Sequence, residues 1–196
     1  MRLKAWKGPG AISNIVGKKV LVLGGGFGGV QAAREARASL DATHEVTIVD
    51  RNRVPHLCGM NPLLIVGERD TDKTGRSLGR LANRGIKFIE TNIDSIDTSG
   101  QKVSTSAGTL DYDYLVIALG AAYDWDAVPG AKDAYSFYDF DYARHLRRRL
   151  SRLKRGKIVL AAASPPYKCP PAPLETAMSE AGVKWPVNGR VSTFEF

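Results

Sequence analysis

A chain of 196 residues with 43% hydrophobic and 24% charged residues has an ordinary globular composition, which excludes a disordered chain. Its two cysteines are too few for a disulfide framework. Neither lies in a CxxC pair or a Cys/His cluster with zinc spacing, so no metal site is expected. The formal net charge is +8, and no apolar run approaches the roughly 20 residues that a membrane-spanning helix needs.

Residues 1–17 are predicted to form an N-terminal extension. The segment is basic, but Ser13 and Asn14 interrupt its apolar stretch, which makes it a poor export signal. We therefore expect a protein that is cytoplasmic or peripheral on a membrane surface, with neither a signal peptide nor a transmembrane segment.

Two strands with a helix between them are predicted after this extension. Residues 19–23 (KVLVL) form a continuous β-branched run, typical of a strand buried on both faces. A glycine-rich loop follows, then an alanine-rich helix over about 28–40 and a second strand over 45–49 that ends at Asp50. This β–loop–α–β order with short connections is the unit of a parallel, doubly wound α/β sheet.

The run GGGFGG between the first strand and the helix contains Gly24, Gly26 and Gly29 in a G-x-G-x-x-G pattern. Gly24 allows the tight turn, Gly26 lets the backbone approach a pyrophosphate, and Gly29 permits close helix packing. The start of the helix supplies free N–H groups and a partial positive charge. Asp50 follows Gly29 by 21 residues, at the place of a carboxylate that binds ribose hydroxyls, and its charge disfavours a 2′-phosphate. The pattern predicts binding of the ADP half of a dinucleotide and leaves NAD and FAD open.

The middle of the chain changes from irregular segments to short strands. Residues 51–72 are rich in Pro, Gly and Asn and predict irregular structure, residues 74–83 predict a helix, and residues 86–89 predict a third strand. Short alternating segments separated by turn signals predict a small antiparallel meander over 92–96, 102–105 and 109–112.

A further buried strand is predicted over residues 114–118 and ends in Ala118-Leu119-Gly120. A strand with this ending, placed after a meander, resembles the ATG-type second motif of flavoproteins with two dinucleotide-binding domains. The order favours FAD over NAD, and the first domain is expected to be a Rossmann-like FAD-binding domain over residues 18–134.

A basic connecting helix is predicted within residues 135–156, with Asp139 or Asp141 as its N-cap and Gly156 as its stop. Leucines interleave at helical spacing with eight basic residues: Arg144, Arg147, Arg148, Arg149, Arg152, Lys154, Arg155 and Lys157. The helix either presents a solvated basic face or attracts anionic lipid headgroups or an acidic redox partner. Nucleic acid is not expected as a partner, because no aromatic residues accompany the charges.

Residues 157–196 predict the start of a second, incomplete dinucleotide-type domain. A strand over 157–162 leads into a proline-rich loop, a helix over about 174–181 and a strand over 190–196. The loop reads Ala-Ala-Ser-Pro-Pro from Ala162 and lacks a glycine for a pyrophosphate to approach. We therefore expect no nicotinamide nucleotide at this second site.

The two cysteines lie in patterned surroundings, Cys58 in VPHLCGMNPLLIVG and Cys169 in KIVLAAASPPYKCPPAPLETA. These segments resemble the flavoprotein subunit of flavocytochrome c sulfide dehydrogenase and, more broadly, the sulfide:quinone oxidoreductases. The resemblance covers residues 18–177. It implies that Cys58 carries a thioether bond to the flavin and that Cys169 is half of a redox disulfide. Sulfide would form a persulfide, and two electrons would pass through FAD to quinone or a c-type cytochrome. Lys168 would favour the thiolate of Cys169.

The expected catalytic residues are Cys169 and Lys168. The residues expected to bind FAD are Gly24, Gly26, Phe27, Gly28, Gly29, Asp50, Arg51, Cys58, Asn61, Ile93, Ala118, Leu119 and Gly120. Members of the resembled family are considerably longer, so this chain is expected to be a fragment, to form a homo-oligomer or to need a complementing chain. Two alternatives stay open: an NADH:quinone or pyridine nucleotide-disulfide oxidoreductase, and a non-catalytic FAD-binding module that needs a partner.

Overall fold

The computed structural model describes residues 17–153, 157–162, 168–182 and 192–193. The chain divides into two compact units, each built from separate stretches of sequence. The first unit comprises Met1–Arg53 and Leu78–Gly120, and the second comprises Val54–Ser77 and Ala121–Phe196. This division differs from the expected domain boundaries, which kept residues 54–77 with the glycine loop. Apart from Gly17, the predicted N-terminal extension lies outside the described residues.

The first unit contains a four-stranded parallel sheet, as predicted. Its order is β3-β2-β1-β7. The strands are β1 (Lys19–Leu23), β2 (Glu45–Asp50), β3 (Lys87–Glu90) and β7 (Tyr114–Ile117), and helix α1 (Phe27–Ser39) connects β1 to β2. The predicted antiparallel meander is also present, as β4 (Ile93–Asp97), β5 (Lys102–Thr105) and β6 (Gly108–Asp111).

The central strands are apolar along their whole length because both faces of the parallel sheet are covered. Val22 and Ile48 point to one face and pack with Ala33 of α1. Leu23 points to the opposite face and packs with Val103 of β5. Alternate residues of one strand therefore enter two different cores, which explains the unbroken hydrophobic run of β1.

The second unit contains α2 (Asn61–Ile65), α3 (Phe140–Leu150), β8 (Val159–Leu160), α4 (Ala172–Gly182) and β9 (Ser192–Thr193). Leu64 and Ile65 of α2 are fully buried and pack in one apolar cluster with Leu150 of α3. This cluster explains why the segment around α2 belongs to the second unit. Strands β8 and β9 pair in parallel on either side of α4 in sequence. The predicted β-α-β start is therefore present.

Three sequence predictions of local structure require correction. The helix predicted over 74–83 is a 3-10 helix at Leu78–Arg84 only, because His56 and Gly75 form an isolated antiparallel bridge that holds the preceding backbone extended. Helix α3 ends at Leu150, where bonds from residues 152 and 153 to the carbonyls three positions earlier tighten the chain. The predicted stop, Gly156, lies outside the described residues. Strand β8 has two residues rather than six.

Within the described ranges, no helix combines the length and the apolar character that crossing a bilayer requires.

Candidate functional site

Two glycines of the loop between β1 and α1 are required by the packing of the chain itself. Gly24 has a φ of +100°, which L side chains rarely adopt, and its N–H donates to the Val49 carbonyl at 2.8 Å. A Cβ atom at Gly24 would overlap the Ala118 carbonyl oxygen, and one at Gly29 would overlap the Gly24 carbonyl oxygen. The absence of side chains at these two positions allows β1, α1 and the end of β7 to pack closely.

Gly26 differs because nothing in the described part of the chain requires it to be glycine. It is exposed and has an ordinary φ of −77°, and an added Cβ would meet no described atom within 4 Å. It is the N-cap of α1, which has no side-chain cap among the described residues and no acidic residue in its first turn. The first N–H groups of a helix have no partner within the helix. The bare backbone at Gly26 therefore fits the diphosphate of a dinucleotide, which needs close approach to such groups.

Asp50 ends β2 and ties the glycine loop to the neighbouring strand. Its Oδ2 accepts the N–H of Gly25 at 2.6 Å, and its Oδ1 accepts the N–H of Asn52 at 2.7 Å. Each carboxylate oxygen retains a lone pair for a further donor, so a ribose hydroxyl can still be bound. Arg51 beside it is exposed.

Gly25 was not among the residues predicted from the sequence. A Cβ there would overlap the Leu78 side chain and approach the Asp50 carboxylate. The available signal was a third consecutive glycine in GGGFGG.

The end of β7 lies beside the glycine loop. The Ala118 N–H donates to the Leu23 carbonyl at 2.8 Å. Leu119 is 53% exposed, and Gly120 turns the chain with a φ of +77°.

Three other predicted FAD ligands of the first unit have different surroundings. Phe27 is 66% exposed at the start of α1, and Gly28 is exposed next to it. Ile93 is half-buried at the start of β4 and packs against the core cluster that contains Leu23 and Val103. This contact gives Ile93 a structural role, and its role in binding FAD stays a prediction.

Cys58 and Lys168 come together in the second unit, and Tyr123 joins them. The Lys168 ammonium donates to the Tyr123 hydroxyl over 3.5 Å, and the Cys58 side chain is close enough to raise the pKa of Lys168. Burial alone would lower the pKa of Lys168, but Tyr123 and Cys58 outweigh it and raise the pKa above its ordinary value. Burial raises the pKa of the Tyr123 phenol, and Lys168 partly offsets this effect. The sequence paired Lys168 with its neighbour Cys169, and no sequence pattern indicated Tyr123.

Cys169 is an exposed free thiol at an unusual backbone position. Its φ is +55°, a left-handed conformation that non-glycine residues rarely adopt. Its carbonyl accepts the N–H of Ala172, the first residue of α4, at 2.9 Å. The thiol is therefore accessible and lies just before the start of a helix. The loop predicted to exclude a nicotinamide nucleotide lies, after Ala162, outside the described residues.

Asn61 is fully buried at the start of α2 in the second unit. Its Nδ2 donates to the Phe137 carbonyl at 2.9 Å, and its Oδ1 has no partner among the described residues. The amide thus fastens α2 to the segment before α3, and its role in binding FAD stays a prediction.

His56, close to Cys58 in sequence, is held by its neighbours. Its ring stacks on Phe140 with centroids 3.4 Å apart, and its Nδ1 lies 2.8 Å from the Thr74 hydroxyl. That hydroxyl donates to the Thr71 carbonyl, so Nδ1 carries the proton and donates. Desolvation lowers the pKa of His56. These contacts are those of a hydrogen-bonded histidine in a loop, and they give His56 a structural role.

Comparison with known proteins agrees with this geometry. Residues 18–161 match the model of the pyridine nucleotide-disulphide oxidoreductase family. The alternative NAD(P)H-ubiquinone oxidoreductase C1 of Arabidopsis thaliana is 32% identical over 70% of this chain and 30% of its own length. The type II NADH:quinone oxidoreductase of Staphylococcus haemolyticus is 29% identical over 68% of this chain and 34% of its own. The sulfide:quinone oxidoreductase of Aquifex aeolicus has a similar fold, with a TM-score of 0.71, 24% identity and coverage of 90% of this chain and 43% of its own.

The chain spans about a third of the length of these curated relatives. The family match covers most of the chain, including the glycine loop, the parallel sheet, the meander and β7. The chain therefore belongs to the pyridine nucleotide-disulphide oxidoreductase family, and its cofactor is FAD.

Proposed function

We propose that this chain is the FAD-binding part of a flavin-dependent quinone oxidoreductase. The observation that carries the proposal is the open backbone at Gly26, at the uncapped start of α1. Gly24 and Gly29 are needed by the fold, whereas the glycine at position 26 serves a ligand outside the chain. Quinone is proposed as the acceptor because the Arabidopsis and Staphylococcus relatives and the Aquifex structure all carry it in their names.

The proposed roles of the residues follow from their surroundings. The N–H groups at the start of α1 bind the diphosphate, and the Asp50 carboxylate accepts a ribose hydroxyl. The backbone of Ala118 to Gly120 lies against the glycine loop and limits the other side of the site. Bound FAD supplies two-electron redox chemistry. Cys58 is proposed to form the thioether bond to it, and its contact with Lys168 orients the sulfur.

Sulfide is the electron donor that the cysteines favour. Sulfide would attack the Cys169 sulfur of a disulfide, and the S–S bond would break. Cys169 would retain the new sulfur as a persulfide, while the second cysteine would leave as a thiolate. Because Cys58 is assigned to the flavin, the second cysteine is proposed to lie outside the present sequence, in a further part of the same protein or in a complementing chain. The exposure of Cys169 and its position before α4 support this role.

NADH is the second candidate donor, favoured by the curated relatives, which are named as NADH or NAD(P)H oxidoreductases. The glycine-free loop after Ala162 argues against it. A third possibility is a non-catalytic FAD-binding module that acts with a partner chain.

The purified chain, loaded with FAD and carrying Cys169 as a mixed disulfide with glutathione in place of the second cysteine, separates these donors by anaerobic bleaching of the flavin absorbance. We expect sulfide, and not NADH, to bleach the flavin, with reoxidation by a soluble quinone faster than by cytochrome c. Cys169→Ser should stop bleaching by sulfide while FAD stays bound, as the flavin absorbance retained by the protein shows. Bleaching by NADH alone would establish the second candidate. Bound flavin that neither donor bleaches would establish the non-catalytic module.

The thioether at Cys58 has its own measurement. Mass spectrometry of the denatured chain should show one added flavin, and the Cys58→Ser chain should show none. Complete release of flavin by acid precipitation of the unaltered chain would contradict the bond while leaving FAD binding intact.

A further inference from the structure

An apolar cavity of ≈ 590 Å³ lies in the second unit beside α3 and β8. Its apolar lining includes Phe137, Leu146, Leu150, Leu153 and Ile158. The volume falls within the range of about 300–1,000 Å³ that is usual for small-molecule sites. Neither cysteine nor Lys168 lines this cavity.

Positive charges surround one part of this cavity. Arg149, Arg152 and Lys157 contribute to its lining, and all three are exposed. A second recess of ≈ 370 Å³ shares Arg149, Arg152 and Tyr135 with the cavity. The recess adds two further basic side chains, those of His145 and Arg148.

The arginines of α3 differ in their pairing. Arg144 pairs with Asp141 at 3.1 Å, and Arg147 pairs with Asp70 at 3.6 Å. In the part of the chain that the structure describes, the guanidinium groups of Arg149 and Arg152 have no such acidic partner. Their charge is therefore available to an anionic group from outside the chain.

A buried hydroxyl in the lining supplies an independent observation. Thr176 of α4 lines the cavity and is 1% exposed, yet its Oγ1 has no hydrogen-bond partner among the described residues. Buried polar groups are rarely left without a partner, because desolvation then goes uncompensated. A ligand oxygen inside the cavity would satisfy this hydroxyl.

We propose that this cavity binds an anionic amphiphile, with its hydrocarbon body among the apolar residues and its carboxylate or phosphate at Arg149 and Arg152. The Thr176 hydroxyl donates to an oxygen of the same molecule. The apolar lining disfavours a free inorganic anion, and the unpaired arginines disfavour a neutral hydrocarbon. Such a ligand comes either from a free acyl compound or from an anionic phospholipid of a membrane.

Titration calorimetry of the purified chain with monomeric dodecyl phosphate tests the proposal. We expect saturable binding of one molecule per chain. Inorganic phosphate and the neutral amphiphile dodecyl maltoside should each bind at least about tenfold more weakly. Inorganic phosphate lacks the hydrocarbon body, and dodecyl maltoside lacks the anionic group. Equal affinity for dodecyl maltoside or for inorganic phosphate would overturn the proposal.

Two variants with a matched control locate the binding. Arg152→Ala should weaken dodecyl phosphate binding about tenfold, whereas Arg144→Ala removes the same charge from the neighbouring helix α3 and should leave binding unchanged. Thr176→Val should weaken binding without lowering the melting temperature, because the hydroxyl stabilises nothing in the described chain. Equal losses in the Arg144 and Arg152 variants would indicate a bulk charge effect and contradict the site.

Vesicles distinguish the two sources of the ligand. Cosedimentation with phosphatidylglycerol vesicles but not phosphatidylcholine vesicles, lost in Arg152→Ala and competed by dodecyl phosphate, would identify a membrane lipid. Binding of dodecyl phosphate without cosedimentation would identify a free amphiphile. Cosedimentation that Arg152→Ala leaves unchanged would count against the site.

Discussion

At the scale of single residues, the glycine loop contains two kinds of glycine that the sequence motif does not distinguish. Gly24 and Gly29 are confined by neighbouring carbonyl oxygens, whereas Gly26 opens onto space. The motif predicted where the loop lies, but only the three-dimensional contacts separate a glycine needed for folding from one available to a ligand. This difference can be tested by substitution.

Gly26→Val should abolish retention of FAD while leaving the fold intact, because its side chain would occupy only the space proposed for the diphosphate. Loss of the N-cap glycine should cost about 1 kcal/mol of stability. Gly29→Ala should instead destabilise the chain by about 1–3 kcal/mol or more, since its Cβ would overlap the Gly24 carbonyl. Flavin absorbance and thermal denaturation measure the two effects. Normal flavin content in Gly26→Val would refute the assignment of the loop.

The contacts of the Lys168 side chain could not be predicted from its neighbours in the sequence. Its neighbour in the chain is Cys169, but the structure records its ammonium with Tyr123 and Cys58, which lie 45 and 110 positions away in a sequence of 196 residues. Such a contact depends on how the second unit packs. The pattern of residues close to Lys168 in the sequence therefore does not predict this contact.

At the scale of elements, most strands and helices follow from hydrophobic period and glycine placement. The continuous apolar runs of β1 and β2 predicted their burial on both faces, and the turn signals predicted the meander. The helix predicted over 74–83 begins only at Leu78, as a 3-10 helix, because a bridge between His56 and Gly75 holds the preceding backbone extended. Local propensity cannot anticipate that pairing.

The N-cap of α3 gives a prediction at this scale. Sequence left Asp139 and Asp141 open, and the structure selects Asp139, whose carboxylate accepts the Tyr142 N–H at 3.0 Å. Asp139→Ala should destabilise the chain by about 1 kcal/mol, or roughly 2–4 °C in melting temperature. Asp139→Ser should recover most of the loss, and Asp141→Ala is the control of equal charge. A larger shift from Asp141→Ala would contradict the assigned cap.

At the scale of the whole molecule, the two compact units interleave along the sequence. The predicted boundary near residue 134 separated the FAD-binding domain from the basic connecting helix. The unit boundary instead follows the apolar cluster of α2 and α3, which joins residues far apart in sequence. Domain prediction from local composition does not detect such interleaving.

Binding of FAD should stabilise the folded chain as a whole, because the unfolded chain has no loop to bind it. At free FAD 100-fold above its dissociation constant, the gain is about 2.7 kcal/mol, which corresponds to roughly 5–10 °C in melting temperature. Differential scanning calorimetry across FAD concentrations measures this dependence. The Gly26→Val chain should show no shift, and an equal shift in that variant would indicate binding elsewhere.

The hydrogen bonds of the Asp50 carboxylate bear on how a cofactor would enter the proposed site. Its two oxygens hold the amides of Gly25 and Asn52, so the loop ahead of α1 and the chain leaving β2 share one anchor. A surface fixed in this way loses little conformational entropy when a nucleotide docks. The remaining lone pairs let a ribose arrive without displacing either amide. We therefore expect the loop to receive the nucleotide without local unfolding.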